Sequence, residues 1–323
     1  MTPNVSVTIV TFDSARHLGR CLDSLAAQTL APREVIVVDN DSRDGSVAIA
    51  RRHAVVTRVI ENGANVGFAA GQNQAIAASR GDWVLVLNPD VVLDPRFLEE
   101  LAPYAERPAP LGTLCGKLLR MDEDGRPVSP PRIDSAGIEF RRTFRHLDRG
   151  SEEPDDGRYG TPELVFGATG AAALYRRAMI DDVSVEGEFF DEAFFAYRED
   201  ADVAWRAQLL GWDCLYVPSA LGYHVRRVLP ARRAQLPAML NRHSVKNRFL
   251  MRIKNVDAAV WRRCGVRGLA RDAAVVAGCL AWEWSSLPAL WEVARLAPRA
   301  RRQRAWIQAR RRRDGAEVAG WFR

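Results

Sequence analysis

The 323-residue chain is 47% hydrophobic and 27% charged, which supplies one large core with a smaller appendage and excludes wholesale disorder. Its net charge of +6 is unevenly placed: residues 295–313 hold nine arginines and no acid, whereas the first 225 residues are near balance, so the basic end suits an anionic surface. The five cysteines (Cys21, Cys115, Cys214, Cys264 and Cys279) are odd in number and lack CxxC spacing, which argues against a zinc site or disulfide framework and fits buried thiols in a reducing cytoplasm.

In chain order, the β-branched run Val5 to Thr11 reads as a buried strand. His17 to Gln28 follows as a helix with Leu18, Cys21, Leu22 and Leu25 on one face. Glu34 to Asp39 is a second strand, Ser46 to His53 a second helix, and Thr57 to Glu61 a third strand. Phe68 to Arg80 reads as an alanine-rich helix, Trp83 to Leu87 as a strand, and Pro95 to Arg107 as a helix with Pro95 in its first turn. This alternation predicts a doubly wound, mostly parallel α/β sheet, whose ligands bind beyond the carboxyl ends of its strands.

Residues 120–160 are rich in Pro, Gly, Asp and Arg and read as an irregular excursion with a small hairpin at Ile138 to Phe144. Regular pattern returns at Leu164 to Tyr175 and at Ala201 to Leu210, followed by a strand from Gly211 to Pro218 with His224 just beyond it. After Pro230 the pattern is helical, with Trp261, Trp282, Trp284, Trp291 and Trp306 set among arginines, and the tail Arg310 to Arg323 is expected to be poorly ordered. No basic-then-apolar leader opens the chain. The late apolar stretch Ala273 to Trp282 is about ten residues, against the roughly twenty needed to span a bilayer.

Polar residues gather at the expected ligand side. Asp39 ends the second strand before the turn Asn40 to Gly45, where one carboxylate, Asp44 foremost, caps the next helix; Asp39 either shares that role or receives a ribose hydroxyl or base N–H. Asn88-Pro89-Asp90 ends the fourth strand, either as an Asx-Pro turn or as a carboxylate holding a diphosphate-bound divalent metal. The glycines of Asn65 to Asn73 match neither a dinucleotide fingerprint nor a P-loop. Glu199, Asp200 and Asp202 fall in a helix's first turn after the aromatics Phe194, Phe195 and Tyr197. Either they complement the helix dipole or one of them is a general base at the mouth of an apolar pocket.

Together these pieces resemble family 2 of the inverting glycosyltransferases, built on the GT-A fold, and especially the bacterial rhamnosyltransferase-like branch. The resemblance runs through Val7 to Thr11, Val37 to Asn40 with Asp44 to Ser46, Asn65 to Phe68 with Gly71 and Asn73, and Asn88 to Asp90. It continues through Gly167 to Ala172, Phe194-Phe195, Glu199-Asp200 with Asp202, Trp205-Arg206, Gly211-Trp212 and His224, covering residues 4–255. It implies that Thr11, Asp39, Asn65, Gly67 and Asn88 line the nucleotide, and that Asp90 and His224 hold Mg²⁺ or Mn²⁺. It also implies that Asp200 is the catalytic base, with Glu199, Asp202 and Gly170 on the acceptor side. Asn88 stands where the family's D-x-D motif has its first acid, and the Q-x-x-R-W motif of processive synthases is absent.

The implied domains are a GT-A catalytic unit at 1–228, with a nucleotide half at 1–110 and an acceptor half at 111–228, and a basic helical extension at 229–323. The implied reaction moves a sugar, rhamnose by analogy, from a dTDP- or UDP-sugar to a hydroxyl of a saccharide or lipid-linked acceptor. The enzyme is expected in the cytoplasm, where the C-terminal helices either sit on the inner face of the membrane with Trp and Arg at the lipid headgroups or form a cap that packs its tryptophans on the core and leaves its arginines solvated. A nucleotidyltransferase would need a basic, glycine-rich loop after the first strand, and none is present. A nucleic-acid partner would explain the arginines but not the acidic cluster. A catalytically inactive nucleotide-sugar-binding scaffold would have no use for Asp200 and His224.

Overall fold

The computed structural model describes residues 3–107, 109–226 and 238–323. Its first half is β1 (Val5–Thr11), α1 (Ala15–Ala26), β2 (Glu34–Asp39), α2 (Ser46–Arg52), β3 (Arg58–Glu61), α3 (Phe68–Ala78) and β4 (Trp83–Leu87). These strands are parallel, in the order β4-β1-β2-β3. Every residue of β1 and β4 is buried, because helices cover both faces of a parallel sheet, and that is why the strands read as unbroken apolar runs. Register sets Thr11 beside Asp39 and Asp39 beside Glu61, so the carboxyl ends form one polar ledge.

The second half adds β5 (Val91–Leu93), α4 (Phe97–Ala105), β6 (Leu111–Arg120), β7 (Ile133–Ser135), the hairpin β8 (Ile138–Phe140) and β9 (His146–Asp148), and β10 (Glu163–Val165). Then come β11 (Ala172–Arg176), α5 (Arg177–Val183), a 3-10 turn (Glu192–Phe194), α6 (Glu199–Leu209) and β12 (Asp213–His224). Strand β11 enters antiparallel between β4 and β6, so the sheet is parallel through its first half and mixed beyond. Helix α4 starts at Phe97, leaving Pro95 just outside its first turn. The expected hairpin forms, with its return strand reaching Asp148.

Strand β12 corrects the expectation that it stops at Pro218. Its pairing with β6 shifts register between Val217 and Leu221, a bulge that takes up Pro218, and the ladder then continues to His224. Beyond the bulge β12 also pairs antiparallel with β5, setting His224 opposite Val91.

The C-terminal region consists of α7 (Ala238–Asn255), α8 (Ala258–Ala281), a 3-10 turn (Trp284–Ser286), α9 (Pro288–Ala309) and α10 (Gly315–Gly320). It shares one hydrophobic core with the second half of the sheet: Leu250, Met251, Val260, Ile307 and Val318 pack in the same cluster as Phe166, Trp205 and Tyr216. The tail is ordered, contrary to expectation. Phe322 is fully buried, with ring centroids 5.0 Å from Trp205 and 5.2 Å from Phe140, and Arg323 N donates to Phe140 O at 3.0 Å. The arginines before it are tied to acids elsewhere in the fold, Arg313 half-buried and Arg310, Arg311 and Arg312 still exposed. Arg310 and Arg312 pair with Asp182, Arg311 with Asp257 and Arg313 with Asp213, so much of the basic run is structural. All five cysteines are buried and unpaired with one another as disulfides.

Removing the Phe322 ring should leave a cavity among aromatic side chains and cost about 3–5 kcal/mol. Urea denaturation of Phe322→Ala should show a correspondingly lower midpoint; a disordered tail would give no change.

Candidate active site

At the polar ledge, Asp39 is buried and its Oδ2 accepts the Ser42 N–H at 2.9 Å. Its Oδ1 and the Thr11 hydroxyl are buried with no hydrogen-bond partner. Leaving such atoms unpaired costs about 1–3 kcal/mol each, so neighbouring orphans at the sheet's carboxyl edge mark a place suited to ligand donors. Asp44 does the capping: its Oδ1 accepts from Ser46 N at 3.1 Å and Ser46 Oγ at 2.6 Å, and its Oδ2 accepts from Ala15 N at 2.7 Å, tying the starts of α1 and α2 together. Burial works against its charge, but these hydrogen bonds win and hold its carboxyl below the usual range.

Asn40 and Asn65 shape the next loop. Asn40 Nδ2 donates to Gly67 O at 3.1 Å, and Asn65 Oδ1 accepts from Gly67 N at 3.0 Å. Gly67 has φ +89°, and a Cβ there would lie 2.6 Å from the Phe195 ring. The glycine is therefore explained by close packing on the loop that leads to Asp200. The Asn88 backbone bonds to Ala171 O at 2.9 Å, which places it where β4 meets β11.

The β5–β12 pairing brings Asp90 to His224. His224 Nε2 lies 3.4 Å from Asp90 Oδ1, and His224 Nδ1 lies 2.7 Å from Oδ2 of the fully buried Asp134. Asp134 Oδ1 also accepts from Arg120 and from Arg226, both at 2.9 Å. Burial opposes the charged imidazole, but the Asp134 and Asp90 carboxylates raise it to about 10. Burial likewise opposes the Asp134 charge, yet His224 and the arginines hold that carboxyl well below its ordinary value. Once the imidazole gives up a proton, the Asp90 carboxylate and a histidine nitrogen whose ring partner is fixed by another carboxylate form a donor set that fits Mg²⁺ or Mn²⁺, leaving positions for water and phosphate oxygens. Among the described residues no cluster of three or more His, Cys, Asp or Glu is placed to hold a metal unaided.

The loop before α6 is backbone-strained: Phe195, Tyr197 and Arg198 have φ of +66°, +71° and +71°. Asn247 on α7, fully buried, holds it by donating from Nδ2 to the carbonyls of Phe194, Ala196 and Tyr197 at 2.9, 2.9 and 2.7 Å. Arg198 Nε donates to Ser244 O at 3.1 Å, and Phe195 stacks on His243 with centroids 4.8 Å apart. Just past this loop the half-buried Asp200 has Oδ2 on Gly170 N at 2.9 Å and Oδ1 on Ala201 N at 2.7 Å. Desolvation raises its proton affinity; the Gly170 amide and Arg226 oppose this and Asp148 adds to it, and the net shift is upward. Glu199 is buried with Oε2 unpartnered, and burial followed by the Asp200 charge lifts it to about 8. Burial, then Glu199 and Asp90, raise Tyr197 to about 12, which puts the loop within electrostatic reach of the Asp90–His224 pair.

Asp202 departs from its expected acceptor-side place. It is fully buried, its Oδ2 accepting from Arg206 Nε at 3.0 Å and Lys254 Nζ at 2.8 Å and its Oδ1 from Asn255 at 2.8 Å, so it anchors α6 to α7. The helix turns each side chain by about 100°, which separates Asp202 from Asp200 although both occupy the first turn. Sequence reasoning missed Asp134, Arg226 and Asn247. Asp134 lies in the excursion and meets a histidine 90 residues away, so no local pattern reveals it.

The His224 ion pair makes a pH prediction. An imidazole raised to about 10 in the fold, from about 6.5 unfolded, stabilises fully below pH ~6.5, and that contribution is lost as pH climbs toward 10. Unfolding free energies measured across this window should fall less steeply for His224→Gln than for the parent.

The comparisons agree with this fold. The family model "Glycosyl transferase family 2" matches residues 6–184. An N-acetylglucosaminyl-diphospho-decaprenol L-rhamnosyltransferase of Mycobacterium tuberculosis is 33% identical over 244 residues, covering 69% of this chain and 76% of the relative. Among solved structures, Staphylococcus aureus TarS 1-349 in complex with UDP-GlcNAc superposes with a TM-score of 0.57 at 18% identity, over 94% of this chain and 89% of that one. The Pyrobaculum calidifontis mannosyltransferase PcManGT, in complex with GDP-Man and Mn²⁺, gives 0.55 at 18% identity over 99% and 86%. The chain belongs to glycosyltransferase family 2 and has the GT-A fold.

Proposed function

We propose that this glycosyltransferase is inverting and non-processive, with Asp200 as its base, and that it moves a sugar from a nucleotide diphosphate to an acceptor hydroxyl. The reading is carried by the Asp200 carboxylate, which is half-buried, held by the Gly170 and Ala201 amides and raised in proton affinity. Those amides fix its direction, and its raised affinity makes it a better proton acceptor near neutral pH. The acceptor oxygen attacks the anomeric carbon, the bond from that carbon to the diphosphate oxygen breaks, and the acceptor proton passes to Asp200. A single displacement inverts the anomeric centre.

Thr11 and Asp39, with their unpaired buried oxygens, receive the nucleoside, and Asn65, Gly67 and Asn88 border it. Asp90 and His224 hold the divalent cation, Mg²⁺ or Mn²⁺, which when bound neutralises charge on the departing diphosphate. Asp134 keeps the His224 ring oriented for that role. Gly170 and Glu199 face the acceptor side. The relative's name points to L-rhamnose as the sugar and a lipid-linked saccharide as the acceptor, and we take the donor to be a dTDP- or UDP-sugar. With such an acceptor the enzyme works at the cytoplasmic face of a membrane, with residues 1–228 as the catalytic unit and the C-terminal helices both packing on it and presenting an outer surface to the lipid.

Two measurements test this. Asp200→Asn should lower turnover by about 10²–10⁴-fold while calorimetry shows unchanged UDP or dTDP binding; near-normal turnover would overturn the base assignment. Asp90→Ala should weaken nucleotide diphosphate binding in Mn²⁺ but not in its absence, and equal affinities in Mn²⁺ would remove the metal role.

A further inference from the structure

Seven of the ten large hydrophobic side chains exposed among the described residues lie between Trp261 and Trp291. They concentrate where α8 turns into α9 through a bend of 117°: Leu280 is 56% exposed, Trp282 86%, Trp284 70% and Trp291 66%. On their inner side Val275, Cys279, Leu287, Ala289 and Leu290 pack on Val245 and Phe249 of α7, so the corner is a fixed shape. Its tryptophans point away from that packing instead of covering the core.

Charge around the corner is one-sided. The acids between 258 and 309 are Asp272, Glu283 and Glu292. Asp272 pairs with Arg248 and Arg252, Glu292 with Arg242 and Lys246, and Glu283 accepts the Ser286 hydroxyl, so none is exposed. Arg262, Arg267 and Arg271 on α8, and Arg295 and Arg301 on α9, are exposed. A tip rich in tryptophan, whose acids are paired and half-buried and whose two helices carry exposed arginines along their length, complements anionic lipid, whose headgroup boundary takes indole rings while its phosphates take guanidinium. No single helix among the described residues is long and apolar enough to cross a bilayer, while the bent α8–α9 pair is apolar enough overall to enter one in part, and its packed inner side and exposed outer tip suit seating in the interface.

We propose that the α8–α9 corner inserts into the interfacial layer of an anionic bilayer, with Leu280, Trp282, Trp284 and Trp291 as the inserted side chains and the α8 and α9 arginines on lipid phosphates. This deepens the membrane reading above and rests on it. The corner packs on the same turns of α7 whose His243, Ser244 and Asn247 grip the loop before Asp200. Helix α7 therefore contacts the corner through Val245 and Phe249 and the loop before Asp200 through Ser244 and Asn247, which couples the proposed membrane face to that loop.

The test sediments the full-length protein with vesicles of phosphatidylcholine alone and of phosphatidylcholine mixed with phosphatidylglycerol. The parent should bind the mixed vesicles, less so as salt rises. The surface variants Trp282→Ser/Trp284→Ser and Arg262→Gln/Arg267→Gln/Arg271→Gln should each bind on the order of tenfold more weakly, with unchanged thermal midpoints. Equal partitioning of the tryptophan variant and the parent would overturn the proposal. So would a dimer broken by Trp282→Ser/Trp284→Ser with no vesicle binding, since a second copy would then cover the corner. Transfer to a water-soluble acceptor should be the same in the parent and both surface variants. If no transfer occurs but vesicle binding follows the corner, the catalytic reading fails and the insertion stands.

Discussion

The ammonium of Lys254 lies between two carboxylates in the interior, 2.7 Å from Asp191 and 2.8 Å from Asp202, with almost no exposure of any of the three side chains. Burying a cation is tolerable only when its partners are close and themselves satisfied. Here Asp202 also takes Arg206 and Asn255, and Asp191 takes Arg299 at 3.2 Å. One charge network therefore joins the start of α6, the segment before it, α7 and α9. None of these parts can shift far without stranding a charge.

That constraint gives the strained loop its footing. Three residues of positive φ in a four-residue span would relax if the loop were free. They are held from one side by Asn247 and Ser244 on α7 and from the other by Gly67, whose missing side chain lets Phe195 settle against the nucleotide half of the sheet. Asp200 sits at the end of this over-determined stretch, and its carboxylate direction is then finished by two amides. The C-terminal helices thus support the loop that carries Asp200 as well as presenting a surface.

Much of the parallel half was legible, because strands buried on both faces leave unbroken β-branched runs such as Val35 to Val38, and helices between them keep a one-sided apolar stripe. Of the candidate site, the polar residues at strand ends were legible, and Asp200, Asp90 and His224 could be listed as candidates before their neighbours were known. What escaped was long-range. Pro218 reads as a strand end, yet a bulge absorbs it. The tail reads as poorly ordered, yet its arginines pair with Asp182, Asp213 and Asp257 and Phe322 closes the core. Asp202 looks equivalent to Asp200 until its partners on α7 are placed, although Arg206 four residues on was a local hint.

The bulge in β12 does more than accommodate a proline. Side chains on a strand alternate faces, so a slip of one residue beyond Val217 would turn His224 away from Asp134 and offer Tyr223 or Val225 in its place. The imidazole's address is therefore written in the count of residues between the bulge and the end of the strand. Loops elsewhere in the chain can lengthen or shorten at small cost, but Leu221 to His224 is a ruler that tolerates no change of length.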